Sequence, residues 1–237
     1  MLNRESLWFR QKLEHYLTGE DVVLNIGSNS LEFRERLQPC LELNLFAPLR
    51  ERGVRVYHID LKKQPGVDFA GDVTDPNFIR SLRKLRATAA ICSNLLEHLQ
   101  DRGAFARSVV DIVDGGSRIF ASCPYAYPYH PDPIDTLFRP TVAELTAEFP
   151  QTVVLEGEIV RCGRLIGKSA YELSTNPTRW MYGCLRSWVR LAMPFWRPKR
   201  WVGAALAALT NPLQKISATC VVLEKRDVNA AFGLQND

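Results

Sequence analysis

The chain predicts a doubly wound α/β fold: a mostly parallel sheet of about seven strands with helices on both faces. Three observations carry this. Short apolar runs recur along the first half of the chain. They are continuous rather than alternating, as in strands buried on both faces. Helical periodicity fills the intervals between them. Of 237 residues, 46% are hydrophobic and 24% charged, enough apolar material for the core of one α/β unit.

The elements follow in order. Ser6 to Leu17 reads as an amphipathic helix with Leu7, Trp8, Leu13, Tyr16 and Leu17 as packing positions. "DVVLNIG" is the first strand, followed by a loop and helix to about Arg52. "VRVYHIDL" is the second strand and "VDFAGDV" a short third. "DPNFIRSLRKLR" is helical, opened by Asp75 and Pro76. "TAAICSNL" is the fourth strand. "RGAFARSVVDIV" is a helix stopped by Gly115 and Gly116. "SRIFASCP" is the fifth strand, "PTVAELTAEF" a helix, and "SATCVVLEKR" the last strand. The result is one Rossmann-like domain over 1–237, its core about 18–160 plus a final strand about 216–226.

In such folds ligands sit at the carboxyl ends of the parallel strands. That rule gathers Gly27, Asp60, Asp72 and Asn94, each at a strand end. Gly27 permits close backbone approach, and Ser28, Asn29 and Ser30 are small. No G-x-G-x-x-G is present, so a pyrophosphate cradle, and with it a nicotinamide enzyme, is disfavoured. Asp60 suits the hydroxyls of a ribose, and Asp72 an exocyclic amine or adenine pocket. Taken singly, these carboxylates read equally well as caps or solvated groups.

The series "LNIGSNS", "VYHIDL", "VDFAGDVTD", "CSNLLEHLQD" and "DGGSRIFASCPY" resembles the class I S-adenosylmethionine-dependent methyltransferases, in the small-molecule and glycan branch. "NLLEHLQD", Asn94 to Asp101, is the most specific piece. "YPYHPDPIDTLFRPT", Tyr127 to Thr141, is similar to the segment that covers the active site in that branch. The match runs from about Asp21 to Phe149. The resemblance implies S-adenosylmethionine as cofactor, held by Asn25, Gly27, Ser28, Asn29, Asp60, Leu61, Asp72, Val73, Asn94, Leu95 and His98. It implies methyl transfer to a small-molecule or glycan acceptor, with a hydroxyl as the expected nucleophile. The chain departs from the pattern at Asn25, where the family has an acid, and at Asn29, where it has a second glycine. A non-catalytic regulatory protein that binds the same cofactor is the alternative those departures motivate.

His130, Asp132 and Asp135 form a polar cluster in a proline-rich loop. His130 is the expected general base, with Asp132 or Asp135 orienting it. Arg139 is expected to pair with an acidic loop residue or contact an anionic substrate.

Residues 174–212 form a basic insertion. Between Leu173 and Leu223 there is no Asp or Glu, but Arg179, Arg186, Arg190, Arg197, Lys199, Arg200 and Lys215 are present, interleaved with Trp180, Trp188, Trp196 and Trp201. A basic, tryptophan-rich amphipathic helix suits an anionic membrane surface, contacted through 179–201. A cover helix or a dimer face is the alternative, and oligomerisation stays open. A net charge of +4 is too small to imply nucleic acid. The six cysteines form no C-x-x-C pair, which argues for a reducing compartment and against zinc, and no metal site is expected. No secretory signal is visible at the N-terminus, and no window reaches the roughly 18 apolar residues that span a bilayer. The expected location is cytoplasmic, peripheral on the membrane where the basic segment engages it.

Overall fold

The computed structural model describes residues 1–130, 134–164 and 214–227, with 174, 177–178, 181 and 185 as isolated positions. The strands are β1 (Val22–Ile26), β2 (Arg55–Asp60), β3 (Phe69–Ala70), β4 (Ala89–Ser93), β5 (Arg118–Ala126), β6 (Thr152–Arg164) and β7 (Lys215–Lys225). They form one sheet in the order β3-β2-β1-β4-β5-β7-β6. β1 to β5 pair in parallel, and β7 is antiparallel to both β5 and β6. The strand order reverses between β1 and β4, and in doubly wound sheets the crevice edge, where ligands bind, lies outside the carboxyl ends of the strands at that point.

The strands of the centre bury both faces. On one side Val22, Leu24 and Ile26 of β1 meet Leu82, Phe105, Val109 and Leu145. These come from α4 (Pro76–Arg83), α5 (Arg102–Ile112) and α6 (Val142–Ala147). On the other side Val23, Ile91, Phe120 and Val222 meet Phe9, Leu13, Leu45 and Leu49. Phe9 and Leu13 lie on α1 (Asn3–Tyr16); the other two lie on an irregular helical run. That run contains π turns at Phe33–Leu37 and Glu42–Phe46, separated by α2 (Pro39–Leu41) and followed by α3 (Ala47–Glu51). Each fully buried Leu or Phe contributes about 1.5–3 kcal/mol. Side-chain caps start three of the helices. Asp75 accepts from the Asn77 amide, Asp101 from the Ala104 amide, and Thr141 and Glu144 form a capping box.

The expected helix at Ser6 begins at Asn3. Leu7 is 47% exposed and is not a packing position, whereas its neighbour Phe9 is fully buried. β3 is only two residues long, so Asp72 lies beyond it in the turn before α4. β6 has no counterpart among the expected strands. It is a half-exposed edge strand with two register shifts, and its Glu156 accepts from Lys12 and Tyr16 of α1. The register of β6 with β7 reaches Arg164 opposite Lys215, and Ser217 stands opposite Ala126 at the end of β5. Nearly all of the 174–212 insertion lies outside the described residues. So do Cys184 and Asp132. The other five cysteines are free thiols, all buried except the half-buried Cys162. No helix among the described residues is long and apolar enough to cross a membrane.

Candidate functional site

The turn after β1 needs a glycine. Gly27 has φ +75°, and a Cβ there would stand 2.8 Å from Leu95 Cδ2. Leu95 therefore roofs the turn directly. The following amides are all engaged within the protein. Gly27 and Ser28 donate to the Ile59 carbonyl at 2.9 and 3.0 Å. The Asn29 amide donates to Asp60 Oδ2 at 2.8 Å, Ser30 to Asn29 Oδ1 at 2.8 Å, and Leu31 to the Pro65 carbonyl. A turn whose donors are already taken is no cradle for a pyrophosphate, which needs free N–H groups. Ligand polar groups at this edge have to meet side chains instead. Asp60 also accepts from the Lys62 amide at 3.2 Å, and its oxygens retain lone pairs for hydroxyl donors.

Beneath the turn lies Arg34, 1% exposed. Its Nη1 donates to the Ser28 and Asn29 carbonyls at 3.2 and 2.7 Å, and Nη2 to the Gly66 carbonyl at 2.8 Å. Burial lowers the pKa of this guanidinium from its ordinary value. Nothing in the sequence singles out Arg34, which sits among Glu32, Arg36 and Glu35 as one charge of a polar helix. Asn25 is buried, and its Nδ2 donates to His58 Nδ1 at 3.0 Å. Burial brings His58 down to about 4, so its imidazole is neutral at pH 7 and can accept that bond. Asn25 thus faces a neutral ring on the α1 side of the sheet, where a charged carboxylate would have to be desolvated.

The remaining expected cofactor residues divide. Asp72 Oδ1 accepts from both the amide and hydroxyl of Thr74, bonds that lower its pKa. Val73 packs into the core, Leu61 is exposed, and the Ser28 hydroxyl donates to the Asn29 carbonyl. Asn94 has φ +48° and gives its Nδ2 to Glu5 Oε1 at 2.8 Å, so its amide is tied to α1. Glu5 is fully buried and also accepts from the Ser122 hydroxyl at 2.6 Å and the Leu2 amide at 2.9 Å. This link fastens α1 to the end of β4 and the middle of β5. Glu5 carries no motif, and its position in an N-terminal helix hides it from sequence reading.

After β4, a 3₁₀ turn (Leu96–His98) brings Glu97 and His98 toward the loop that follows β5, while Leu96 enters the core. Glu97 is fully buried, its carboxylate makes no hydrogen bond of ordinary geometry among the described residues, and the Cys123 thiol lies beside it. Burial pushes it up to about 7. His98 bonds through Nδ1 to the Ile134 carbonyl, with Nε2 3.7 Å from Glu97 Oε1. The His130 ring lies 5.4 Å from that of His98 and 4.9 Å from that of Tyr127. His130 Nδ1 is 3.2 Å from both the Pro128 carbonyl and Asp135 Oδ2. Burial lowers its pKa, leaving it neutral at pH 7.

Asp135 holds this loop. Arg139 clamps it bidentately at 3.0 and 2.7 Å, and the amides of His130 and Leu137 donate to it. Burial alone would raise its carboxyl, but the Arg139 and amide bonds hold it well below the usual carboxylate range. The structure therefore brings Asn29 to Asp60, Leu95 to Gly27, His98 to His130 and Glu97, and His130 to Asp135. It turns the Asn94 amide away from them.

The chain matches no protein-family model and no curated protein. Solved structures do match it. Coclaurine N-methyltransferase, bound to N-methylheliamine and SAH, is 12% identical, with a TM-score of 0.51 over 93% of this chain and 70% of its own. The YcgJ protein of Bacillus subtilis is 16% identical, with a TM-score of 0.52 over 94% and 99%. The [4+2]-cyclase SpnF is 11% identical, with a TM-score of 0.51 over 92% and 80%. At such identities the likeness concerns architecture. A methyltransferase and a cyclase share it, so the reaction has to be argued from the site. The chain has the Rossmann-like, seven-stranded fold of the S-adenosylmethionine-dependent methyltransferases.

Proposed function

We propose that the protein is an S-adenosylmethionine-dependent methyltransferase acting on a small molecule. One observation carries the reading. The Gly27 turn and the Asp60 carboxylate, joined through the Asn29 amide, stand at the switch point of a β3-β2-β1-β4-β5-β7-β6 sheet. The residues fit the cofactor. A turn without free amides rejects a diphosphate, the cofactor has none, and Asp60 keeps acceptor capacity for a ribose. Asp60 would hold the ribose hydroxyls, Asp72 the adenine side, and Gly27 with Leu95 the wall between them. S-adenosylmethionine supplies an electrophilic sulfonium methyl, so positioning and exclusion of water account for much of the rate.

A hydroxyl acceptor must lose its proton. His130 is neutral and carries its Nδ1 hydrogen toward Pro128 and Asp135, which frees Nε2 to take that proton. Asp135, fixed by Arg139, orients the ring and favours the imidazolium that forms. The finer reading, a sugar or glycan hydroxyl presented near an anionic membrane surface by 179–201, rests on the family resemblance and on the charge pattern of that segment.

Calorimetric titration with S-adenosylmethionine, S-adenosylhomocysteine and NAD tests the cofactor. The first two bind and NAD does not. Asp60→Ala weakens S-adenosylhomocysteine by about 1.5–3 kcal/mol, the scale of lost hydrogen bonds to a charged group. Binding of NAD alone, or an unchanged affinity in folded Asp60→Ala, overturns the assignment.

A further inference from the structure

We infer that Glu97, His98 and His130 form a binding site for a divalent first-row transition-metal ion, of which zinc is the type. The inference does not depend on methyl transfer. One ligand atom from each residue lies within 4.8 Å of the other two. Glu97 Oε1 and His98 Nε2 are 3.7 Å apart. Ligands at about 2.0–2.2 Å from a tetrahedral zinc stand about 3.4 Å from one another, so small side-chain rotations close the cluster on an ion.

Three further features point to a ligand. The Glu97 side chain is fully buried and makes no hydrogen bond of ordinary geometry among the described residues, although the Cys123 thiol and, at 3.7 Å, His98 Nε2 stand beside it. A buried carboxylate so weakly hydrogen-bonded is costly, and a cation is one group that removes the cost. Both imidazoles are oriented from behind: His98 Nδ1 meets the Ile134 carbonyl, and His130 Nδ1 meets the Pro128 carbonyl and Asp135. Outer partners of this kind set the tautomer and leave Nε2 as the ligand atom, as they do around metal-bound histidines. Access is open as well. The His98 and His130 side chains are 18% and 33% exposed while Glu97 is sealed, so an ion enters from the loop side and keeps positions for water there.

Two nitrogens and one oxygen suit zinc or iron(II) better than calcium or magnesium, which prefer oxygen alone. Asp135 is not a fourth ligand in this arrangement, because Arg139 occupies both its oxygens. The ion and the general-base role compete for His130 Nε2. With an ion bound, lowering the pKa of a coordinated hydroxyl becomes the task of the metal.

The test is titration of chelator-treated full-length protein with zinc chloride in a calorimeter, repeated with cobalt(II) while its visible absorption is followed. One ion per chain is expected. His98→Ala and His130→Ala each weaken it about 100-fold or more, exceeding the 10–100-fold effect typical of outer partners. Glu97→Gln, which keeps the shape, does the same. Cys162→Ser leaves the affinity unchanged. Two results overturn the site. One is the absence of stoichiometric binding by the wild type. The other is undiminished binding by a His98→Ala/His130→Ala double variant that melts like the wild type, which would move the ion to the cysteines.

Discussion

At the scale of single residues, the two departures at the glycine turn have structural reasons. Asn29 has φ +56°, a conformation asparagine tolerates better than most residues, and its side chain accepts from the Ser30 amide. Asn29→Ala loses both advantages and should destabilise by about 1–2 kcal/mol in urea unfolding, whereas Asn29→Gly, which loses only the side-chain bond, should cost less. His58 gives a pH prediction. Its folded value is about 4, below the 6.5 or so of an unfolded histidine. Between those values the unfolded chain binds a proton that the native state refuses, so stability falls as pH drops through that window. The loss by pH 5 is about 2 kcal/mol. His58→Gln still accepts from Asn25 but does not titrate. Denaturation at pH 7.5 and 5 should therefore show a smaller pH-dependent loss in the variant, and an equal loss would assign the effect elsewhere.

At the scale of elements, the turn after β1 is only as firm as the guanidinium under it. Arg34→Met removes donors from three carbonyls at once, those of Ser28, Asn29 and Gly66. About 3–5 kcal/mol should be lost, the range for breaking a buried charged network. S-adenosylhomocysteine affinity, measured at a temperature where the variant is folded, should fall with it. β1, β4 and β5 were readable in the sequence because burial on both faces makes them continuous apolar runs. β6 was not, since "TVVLEGEIVRCGR" is an edge strand whose Glu156, Glu158 and Arg161 interrupt any period. The site was legible in the same uneven way. Gly27 and Asp60 stand out by type and by position at strand ends, His98 by the resemblance of "NLLEHLQD", and His130 by its proline-rich loop. Glu5 and Arg34 act through burial, which a single sequence does not display, and the side-chain direction of Asn94 depends on α1, almost ninety residues earlier.

At the scale of the whole molecule, a cofactor held as proposed against β1, β2 and β4 would tie the sheet across its switch point. At a hundred times its dissociation constant such a ligand adds about 2.7 kcal/mol of stability. For a chain of this size that corresponds to a rise in melting temperature of about 5–10 °C. S-adenosylhomocysteine should produce the shift in a thermal melt and NAD should not; equal shifts would mean a generic nucleotide site.

The register of β6 with β7 has an architectural consequence. Because Arg164 stands opposite Lys215, the chain that departs at one returns at the other, and Ser217 opposite Ala126 fixes that point on the crevice edge of the sheet. We propose that the intervening stretch is a graft, because strand pairing fixes its two ends side by side. On that reading a change in its length or composition leaves the pairing of β6 with β7 as it is. Replacing residues 165–214 with Asn-Gly, the dipeptide suited to a two-residue hairpin turn, should leave the far-ultraviolet strand signal and S-adenosylhomocysteine affinity intact while abolishing acceptor turnover. Failure of that shortened chain to fold would show that the graft is part of the foundation.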